Sequence, residues 1–390
     1  MFMSPSKLYC RLRRLHIRWL WPALLMLPLA SWAGPNDAAD YVGSESCRGC
    51  HEAEYSAWQG SHHDLAMQPA NADTVLGDFD DVLFEYRGVR TRFYRRDDRY
   101  LVETQGADGT QTEYEVAYTF GVTPLQQYLI GFPYGRYQAL TVAWDTRPQE
   151  QGGQRWFHIY PNEDIPPGDE LHWTAPAHNW NFACAECHST RVRKNYDAAA
   201  DTYDTRWSAI DVGCEACHGP GKRHIELATA AAQDGNDYPA DHGLVVELGG
   251  PGEWARGPGQ KNAHLLRPAE GAAEVEACGR CHARRSQLTE DYVHGRPLSD
   301  THRVQLLNAG YYHADGQILD EVFVYGSFVQ SRMHTVGVTC SDCHEPHSQK
   351  LLAEGNAVCT ACHAPATYDS AAHHRHPMDS GGAQCVECHM

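Results

Sequence analysis

Basic residues are scarce in this chain. Its 390 residues hold 32 Lys plus Arg against 50 Asp plus Glu, a formal net charge of −18. A field of that sign repels nucleic acid and anionic lipid heads, so a nucleic-acid role is set aside. Long apolar runs are also lacking: Leu20 to Ala30 is short for a membrane span. Lys7, Arg11, Arg13, Arg14 and Arg18 precede or border that run, and Ser31-Trp32-Ala33 follows it, the pattern of a secretory leader cleaved before Gly34. Cys10 lies ahead of the run and is not a lipoprotein cysteine. The expected address is periplasmic or otherwise exported, with membrane association only if the leader stays uncleaved. Without its five basic residues the chain has 27 Lys plus Arg against 50 Asp plus Glu, a net of −23.

Cysteine, by contrast, is abundant and patterned. Fourteen of the 15 cysteines fall in seven Cys-x-x-Cys-His motifs. They are Cys47/Cys50/His51, Cys184/Cys187/His188, Cys214/Cys217/His218, Cys278/Cys281/His282, Cys340/Cys343/His344, Cys359/Cys362/His363 and Cys385/Cys388/His389. This is the form that attaches a c-type haem: two thiols add across the vinyl groups and the adjacent imidazole becomes the proximal iron ligand. The competing reading is zinc or redox pairs, and the fifteen residues between Cys343 and Cys359 do fit a zinc ribbon. The histidines decide against it. With 24 in 390 residues, His follows a given pair by chance roughly 6% of the time, and seven successive hits fall to about one in several hundred million. Seven covalently bound haem c groups are expected.

Haem changes what a chain of this length needs for a core, because each macrocycle is a large apolar plate to wrap. The expected fold is a multihaem cytochrome c: mostly short α-helices and irregular segments around haems, with a small antiparallel β-rich insert. Spacing sets the boundaries: 132 residues separate His51 from Cys184, while six motifs fit in the 206 residues from Cys184 to His389. The leader is 1–33, a first haem segment 34–80, the β-rich insert 81–165 and a six-haem region 166–390. Within the insert, alternation over Leu83 to Tyr94, Tyr100 to Thr104 and Tyr114 to Phe120, around turns at Arg96 to Arg99 and Gly106 to Gly109, predicts a meander. Further strands are expected at Gln138 to Trp144 and Arg155 to Tyr160, with an irregular exit over Pro161 to Gly168. Helices are expected after the haem motifs and at Ile225 to Ala232. The loop Gly249 to Gly259 lacks the Lys-Ser/Thr ending of a phosphate loop.

Whether such a protein carries electrons or transforms a substrate depends on the ligand opposite each proximal histidine. Methionine is too scarce to fill that role widely, since only Met67, Met333, Met378 and Met390 lie outside the leader. Sixteen histidines remain after the seven proximal ones and His16 of the leader, so mostly bis-histidine haems are expected. His347 lies three residues past His344 and cannot reach the opposite face of the same haem; if it binds iron, it binds a neighbour's. His63, twelve residues past His51, should cross over as well, because two axial nitrogens on one iron are only about 4 Å apart.

At these residues the chain resembles the cytochrome c-552/4 domain family, typified by the tetrahaem cytochrome c of ammonia oxidisers and by hydroxylamine oxidoreductase. The resemblance rests on Cys47-Arg-Gly-Cys50-His51 followed by Trp58-x-x-Ser61-x-His63-x-x-Ala66, on Cys214-Glu-Ala-Cys217-His218-Gly219-Pro220-Gly221-x-x-His224, and on Cys340-Ser-Asp-Cys343-His344-x-Pro346-His347. It implies that His63, His224 and His347 are distal haem ligands. It looks closest to long periplasmic multihaem proteins that continue into further haem motifs and tetratricopeptide repeats. The chain stops at Met390, one residue past the last motif, which leads us to expect a fragment or a naturally short member.

Further distal candidates are His313, His334, His373, His374 and His376, then His158 and His172 beside aromatic residues; His62, His178, His242, His264, His294 and His302 rank below them. The expected function is a periplasmic heptahaem electron carrier in a respiratory or redox chain, serving redox partner proteins with basic docking surfaces. The alternative is an oxidoreductase acting on a small nitrogen or sulfur compound at one open haem. No Cys-x-x-Cys-Lys motif, the hallmark of pentahaem nitrite reductases, is present. A third reading makes the β-rich insert a docking platform, as against a cover packed over the first haem.

Overall fold

Nine strands between Met67 and His158 form one antiparallel sheet in a computed structural model that describes residues 40–234, 242–269, 273–320 and 323–389. The strands are β1 Met67–Pro69, β2 Val82–Tyr86, β3 Val89–Arg96, β4 Arg99–Gln105, β5 Gln111–Phe120, β6 Leu125–Phe132, β7 Arg136–Ala139, β8 Val142–Asp145 and β9 Arg155–His158. Their order is β2-β3-β4-β5-β6-β8-β9, with β1 paired to β5 and β7 to β6. The path curls until its ends meet: Tyr86 on β2 stacks on His158 of β9 with ring centroids 4.6 Å apart. Its hydroxyl donates to the carbonyl of Tyr160 at 2.9 Å.

This is larger than the small insert expected, and it begins before residue 81. Several features account for the difference. The alternating run Leu83 to Tyr94 is two strands, split at Arg87 and Gly88, both at positive φ, so that β2 and β3 form a hairpin. Gln138 to Trp144 is likewise broken into β7 and β8. Strands β1 and β6 fall outside every expected strand; β1 has three residues, and β6 buries Tyr128, Leu129 and Ile130 in succession and so carries no two-residue alternation.

Aromatic residues fill the curl. Phe79 makes edge contacts with Phe93, Tyr100, Tyr128 and Trp156, and Trp156 lies flat on Phe93 at 3.5 Å. A second core faces the haem motifs: Met67, Phe120, Leu129 and Ala139 from the sheet pack with Trp180, Ala185 and Val192. The sheet therefore packs against the segment bearing the second motif.

The rest is short helices and irregular chain, as expected. The first helices are α1 Glu52–Trp58, α2 Trp180–Ala183, α3 Ala185–His188, α4 Cys214–His218, α5 Lys222–Asp234 and α6 Glu274–His282. Helix α5 contains the expected span Ile225 to Ala232. At the other motifs the expectation needs adjusting: α3, α4 and α6 end at the motif histidine instead of starting after it. Small hairpins β10/β11 (Tyr196–Asp197, Thr202–Tyr203), β12/β13 (Glu253–Ala255, His264–Arg267) and β14/β15 (Arg285–Gln287, His302–Val304) lie between motifs. No described helix is long and apolar enough to cross a membrane. The leader and Cys10 lie outside the described residues.

Candidate haem-binding sites

Each motif closes one tight helical turn. In the first, the amides of Cys50 and His51 donate to the carbonyl of Cys47 at 3.2 and 3.0 Å, and the fifth, sixth and seventh repeat the pattern. Residues three and four apart on such a turn share a face, so both thiols and the imidazole present together. All fourteen motif thiols are free of disulfides. Among the described residues no group of three or more His, Cys, Asp or Glu converges closely enough to hold a metal ion.

Burial is uneven among the attachment points. Twelve of the motif cysteines are half-buried, whereas Cys50 and Cys388 are exposed. Cys50 and Cys388 therefore leave one edge of the first site and one edge of the seventh open. At Cys388 the reason is thin cover: Val386, Glu387, Cys388 and His389 are all exposed, and the turn is tied down through its backbone. The Gln317 side-chain amide donates to the Cys388 carbonyl, and the Cys385 amide donates to the Asn356 side chain at 2.8 Å. These bonds fix the turn without enclosing the Cys388 thiol. An exposed thiol can still add to a vinyl group, so Cys388 keeps the chemistry of an attachment point but lacks the burial of one.

Long-range hydrogen bonds hold the turns in place. The buried Glu215 carboxylate, inside the third motif, accepts the amides of Val42, Gly43 and Gly221 at 2.7–3.0 Å. Gly219, just past His218, has φ +76° and no room for a side chain, since a Cβ there would fall 2.4 Å from Val245. The Trp58 indole donates to the Val212 carbonyl, and the Val212 amide donates to the carbonyl of His63, carrying His63 to the heart of the motif cluster. Glu274, opening α6, accepts the amide and hydroxyl of Ser341 at 2.7 and 2.8 Å, joining the fourth motif to the fifth.

Four motif histidines face another imidazole. His51 stands opposite His224 with centroids 6.0 Å apart, His282 opposite His63 at 6.3 Å, His218 opposite His347 at 6.5 Å and His389 opposite His373 at 6.2 Å. These separations are too long for stacking. They match an iron bonded at about 2 Å to a nitrogen on each side, with each ring centre about 1 Å further out. The residues present thus fit haem. Burial and neighbouring imidazoles push His63 and His218 each down to about 4, which keeps them in the neutral, ligating form. Nδ1 of His224 donates to the His242 carbonyl at 2.8 Å and that of His347 donates to Glu345 at 2.8 Å, leaving Nε2 as the lone-pair nitrogen.

The other three motif histidines have no described imidazole opposite. His188 is packed edge-on against Phe120 and donates Nδ1–H to the Ala66 carbonyl; His363 meets Tyr368 and donates to Asn262. His344 has no ring neighbour among the described residues.

The remaining candidates are engaged elsewhere. His158 stacks on Tyr86 and its Nδ1 accepts the Tyr160 amide. His172 bonds the Thr174 hydroxyl and His334 lies edge-on to Phe328. Nδ1 of His374 accepts the amide of His376, and His376 packs beside Gly382. His313 is exposed. Of the weaker candidates the structure brings His373 alone to a motif histidine.

The motifs also touch each other, and not in chain order. The thiols of Cys47 and Cys214 interact, as do Cys187 with Cys281, Cys278 with Cys340 and Cys359 with Cys385. Cys217 lies near Cys281, and Cys343 near Cys359 and Cys362. The first motif therefore meets the third, the third meets the fourth, and the fourth leads through the fifth and sixth to the seventh, with the second set against the fourth. Sequence reading missed two residues that matter here, Glu186 and Arg280. Opposite charges inside two Cys-x-x-Cys pairs were the available signal.

The motif chemistry, the free thiols and the facing imidazoles define a multihaem c-type cytochrome that binds haem c covalently. The family described as cytochrome c554 and c-prime matches residues 46–76 and 168–219, and the doubled CXXCH motif matches 334–368. No protein with a curated description matches the chain. The outer cell wall cytochrome OcwA, known from a crystal structure, overlaps 85% of this chain and 69% of its own, at 17% identity and a TM-score of 0.48.

Proposed function

We propose that this protein is an exported, periplasmic electron carrier holding seven haems, at least four of them between two histidines. The observation that carries this reading is the set of four facing imidazole pairs. When bound, haem c supplies reversible one-electron chemistry at its iron, and two strong axial ligands suit that iron to transfer over substrate binding. The chain's own part is to fix the ligands. His224, His63 and His347 each reach across from one motif to another, so ligation and motif packing are one structure. The packing of the motifs sets neighbouring attachment points side by side, which is what relay over a long path requires. Export is supported by the leader-like residues 1–33 and by the extracytoplasmic site of haem attachment. The acidic chain suits redox partners with basic docking surfaces.

A second reading has a specific observation behind it. His188 is half-buried opposite no described imidazole, packed edge-on against Phe120, and an iron bound there with an open sixth position would admit a small nitrogen or sulfur compound. Intact-mass measurement counts haems, and electron paramagnetic resonance of the oxidised protein separates the readings. Seven haems with only low-spin ferric signals support the carrier. A high-spin signal that shifts with nitrite or hydroxylamine supports the enzyme, and fewer than four low-spin centres sinks the coordination proposed.

A further inference from the structure

Two motifs carry opposite charges between their cysteines: Glu186 in Cys184-Ala-Glu-Cys187 and Arg280 in Cys278-Gly-Arg-Cys281. They meet in the interior. Arg280 Nε lies 3.6 Å from Glu186 Oε1, and Arg285 Nη1 lies 2.9 Å from Oε2, with all three side chains less than a tenth exposed. His302, fully buried, places Nε2 2.9 Å from Oε1 and Nδ1 2.9 Å from the Thr301 hydroxyl. One carboxylate against two guanidiniums leaves a buried excess of one positive charge, and guanidiniums do not give up a proton in proteins.

The excess sits at the haem attachment points. Arg285 Nη2 is 3.3 Å from the Cys187 sulfur. Arg280 itself stands between Cys278 and Cys281, and the Glu186 it meets stands between Cys184 and Cys187, so both guanidiniums border these two attachment points. Arg280 also lies over the Tyr292 ring at 4.4 Å, which packs it in place beside the fourth motif.

Taking up one electron lowers the charge of an oxidised haem iron by one. A fixed positive charge nearby favours the reduced form, and low-dielectric surroundings strengthen the coupling. We propose that Arg280 and Arg285, positioned by Glu186, raise the reduction potentials of the haems attached at Cys184/Cys187 and Cys278/Cys281 above those of the other motifs. Electrons supplied by an external one-electron reductant then collect at this pair. The proposal rests on the haem and ligand assignments above.

The test is an EPR-monitored redox titration of the full holoprotein with dithionite and ferricyanide. The low-spin signal that disappears in His63→Ala marks the fourth motif. In the native protein that signal should be among the first to be lost on reduction; finding it in the lower-potential half of the titration overturns the proposal without any charge variant. Arg285→Gln should then lower its potential by at least a tenfold change in the oxidised-to-reduced ratio, about 59 mV for one electron. Arg285→Lys should largely restore it, and Glu186→Gln should shift it upward. Loss of packing moves Arg285→Gln and Glu186→Gln the same way, so shifts of one sign, or a uniform shift of every centre, overturn the proposal. Haem counts by mass keep the two failures apart. Seven haems with a misplaced potential defeat this inference alone, while a missing haem or a missing His63-dependent signal defeats the underlying assignment as well.

Discussion

The imidazoles of His63 and His282 face each other at 6.3 Å with their planes 55° apart, although one follows the first motif and the other closes the fourth. In the proposed coordination one iron lies between them. His63→Ala should therefore leave the haem count unchanged, because the cysteines still hold the macrocycle, while one low-spin centre becomes high-spin. Added imidazole should restore the low-spin signal. An unchanged set of low-spin signals in the variant would sink the pairing.

Glu215 provides a stability test away from the iron. Its carboxylate accepts the Val42, Gly43 and Gly221 amides, and Glu215→Ala leaves these donors without a partner. An unsatisfied buried donor costs about 1–3 kcal/mol. The variant should lose about 2–4 kcal/mol and expose the chain around Val42 to limited proteolysis, with Glu215→Gln giving a smaller loss. Equal resistance to protease in all three proteins would refute the clamp.

Asp211 should make stability depend on pH. Burial, reinforced by the nearby Asp64 carboxylate, raises it to about 6, and its Oδ1 is buried without a partner. In the unfolded chain the group ionises at roughly 4. Between these values the folded protein holds a proton that the unfolded chain has released, so stability falls as pH rises from roughly 4 to about 6 and levels off above. Asp211→Asn should flatten that window and gain about 1–2 kcal/mol at neutral pH, a value reduced for partial exposure. Denaturant titrations of both proteins at pH 4.5 and 7 check this, and a variant weaker than the parent at pH 7 contradicts it.

Much of the haem chemistry was legible because it is local. A Cys-x-x-Cys-His turn is written in five adjacent residues, and the crossing of His63 and His347 follows from reach along the chain. The partner of each was not legible, since it depends on how distant turns pack. The motif alone does not fix burial: Cys388 is exposed and Cys362, in the same motif, is half-buried, the difference lying in what the rest of the chain lays over each. His158 and His172 looked plausible beside aromatic residues, and His158 proved to be one of the residues joining the ends of the sheet. The sheet was underestimated for a related reason. Strand β6 buries three residues in succession, and burial on both faces erases the alternation that identifies a strand.

Trp156 tests whether that sheet is a folding unit or a passive cover. It stacks on Phe93 and touches Phe79, Tyr128 and Trp144. Trp156→Ala should cost about 3–5 kcal/mol, seen as a lower midpoint in denaturant with all haems retained at low temperature. Haem loss without a shifted midpoint would contradict independent packing of the aromatic core.

Partner docking should respond to salt. With 50 acidic against 32 basic residues, reduction by a basic redox protein should slow as ionic strength rises towards physiological, where the screening length is about 8 Å. Reduction by an acidic carrier should instead hold steady or quicken. Stopped-flow rates at low and high salt measure both, and the same salt response for the two donors would remove the electrostatic account.

The three long-distance imidazole pairs run in two directions: His51 and His218 close their motifs ahead of His224 and His347, whereas His63 comes before the motif that His282 closes. In each, the earlier partner is synthesised well before the later one. On the proposed coordination, the first haem lacks its closing ligand until the segment bearing His224 folds back onto it. Its iron stays open to peroxide and other small reactive molecules throughout maturation. Interrupted synthesis then yields a pigmented protein with exposed iron, so quality control of such a chain has to recognise unfilled coordination and not missing haem.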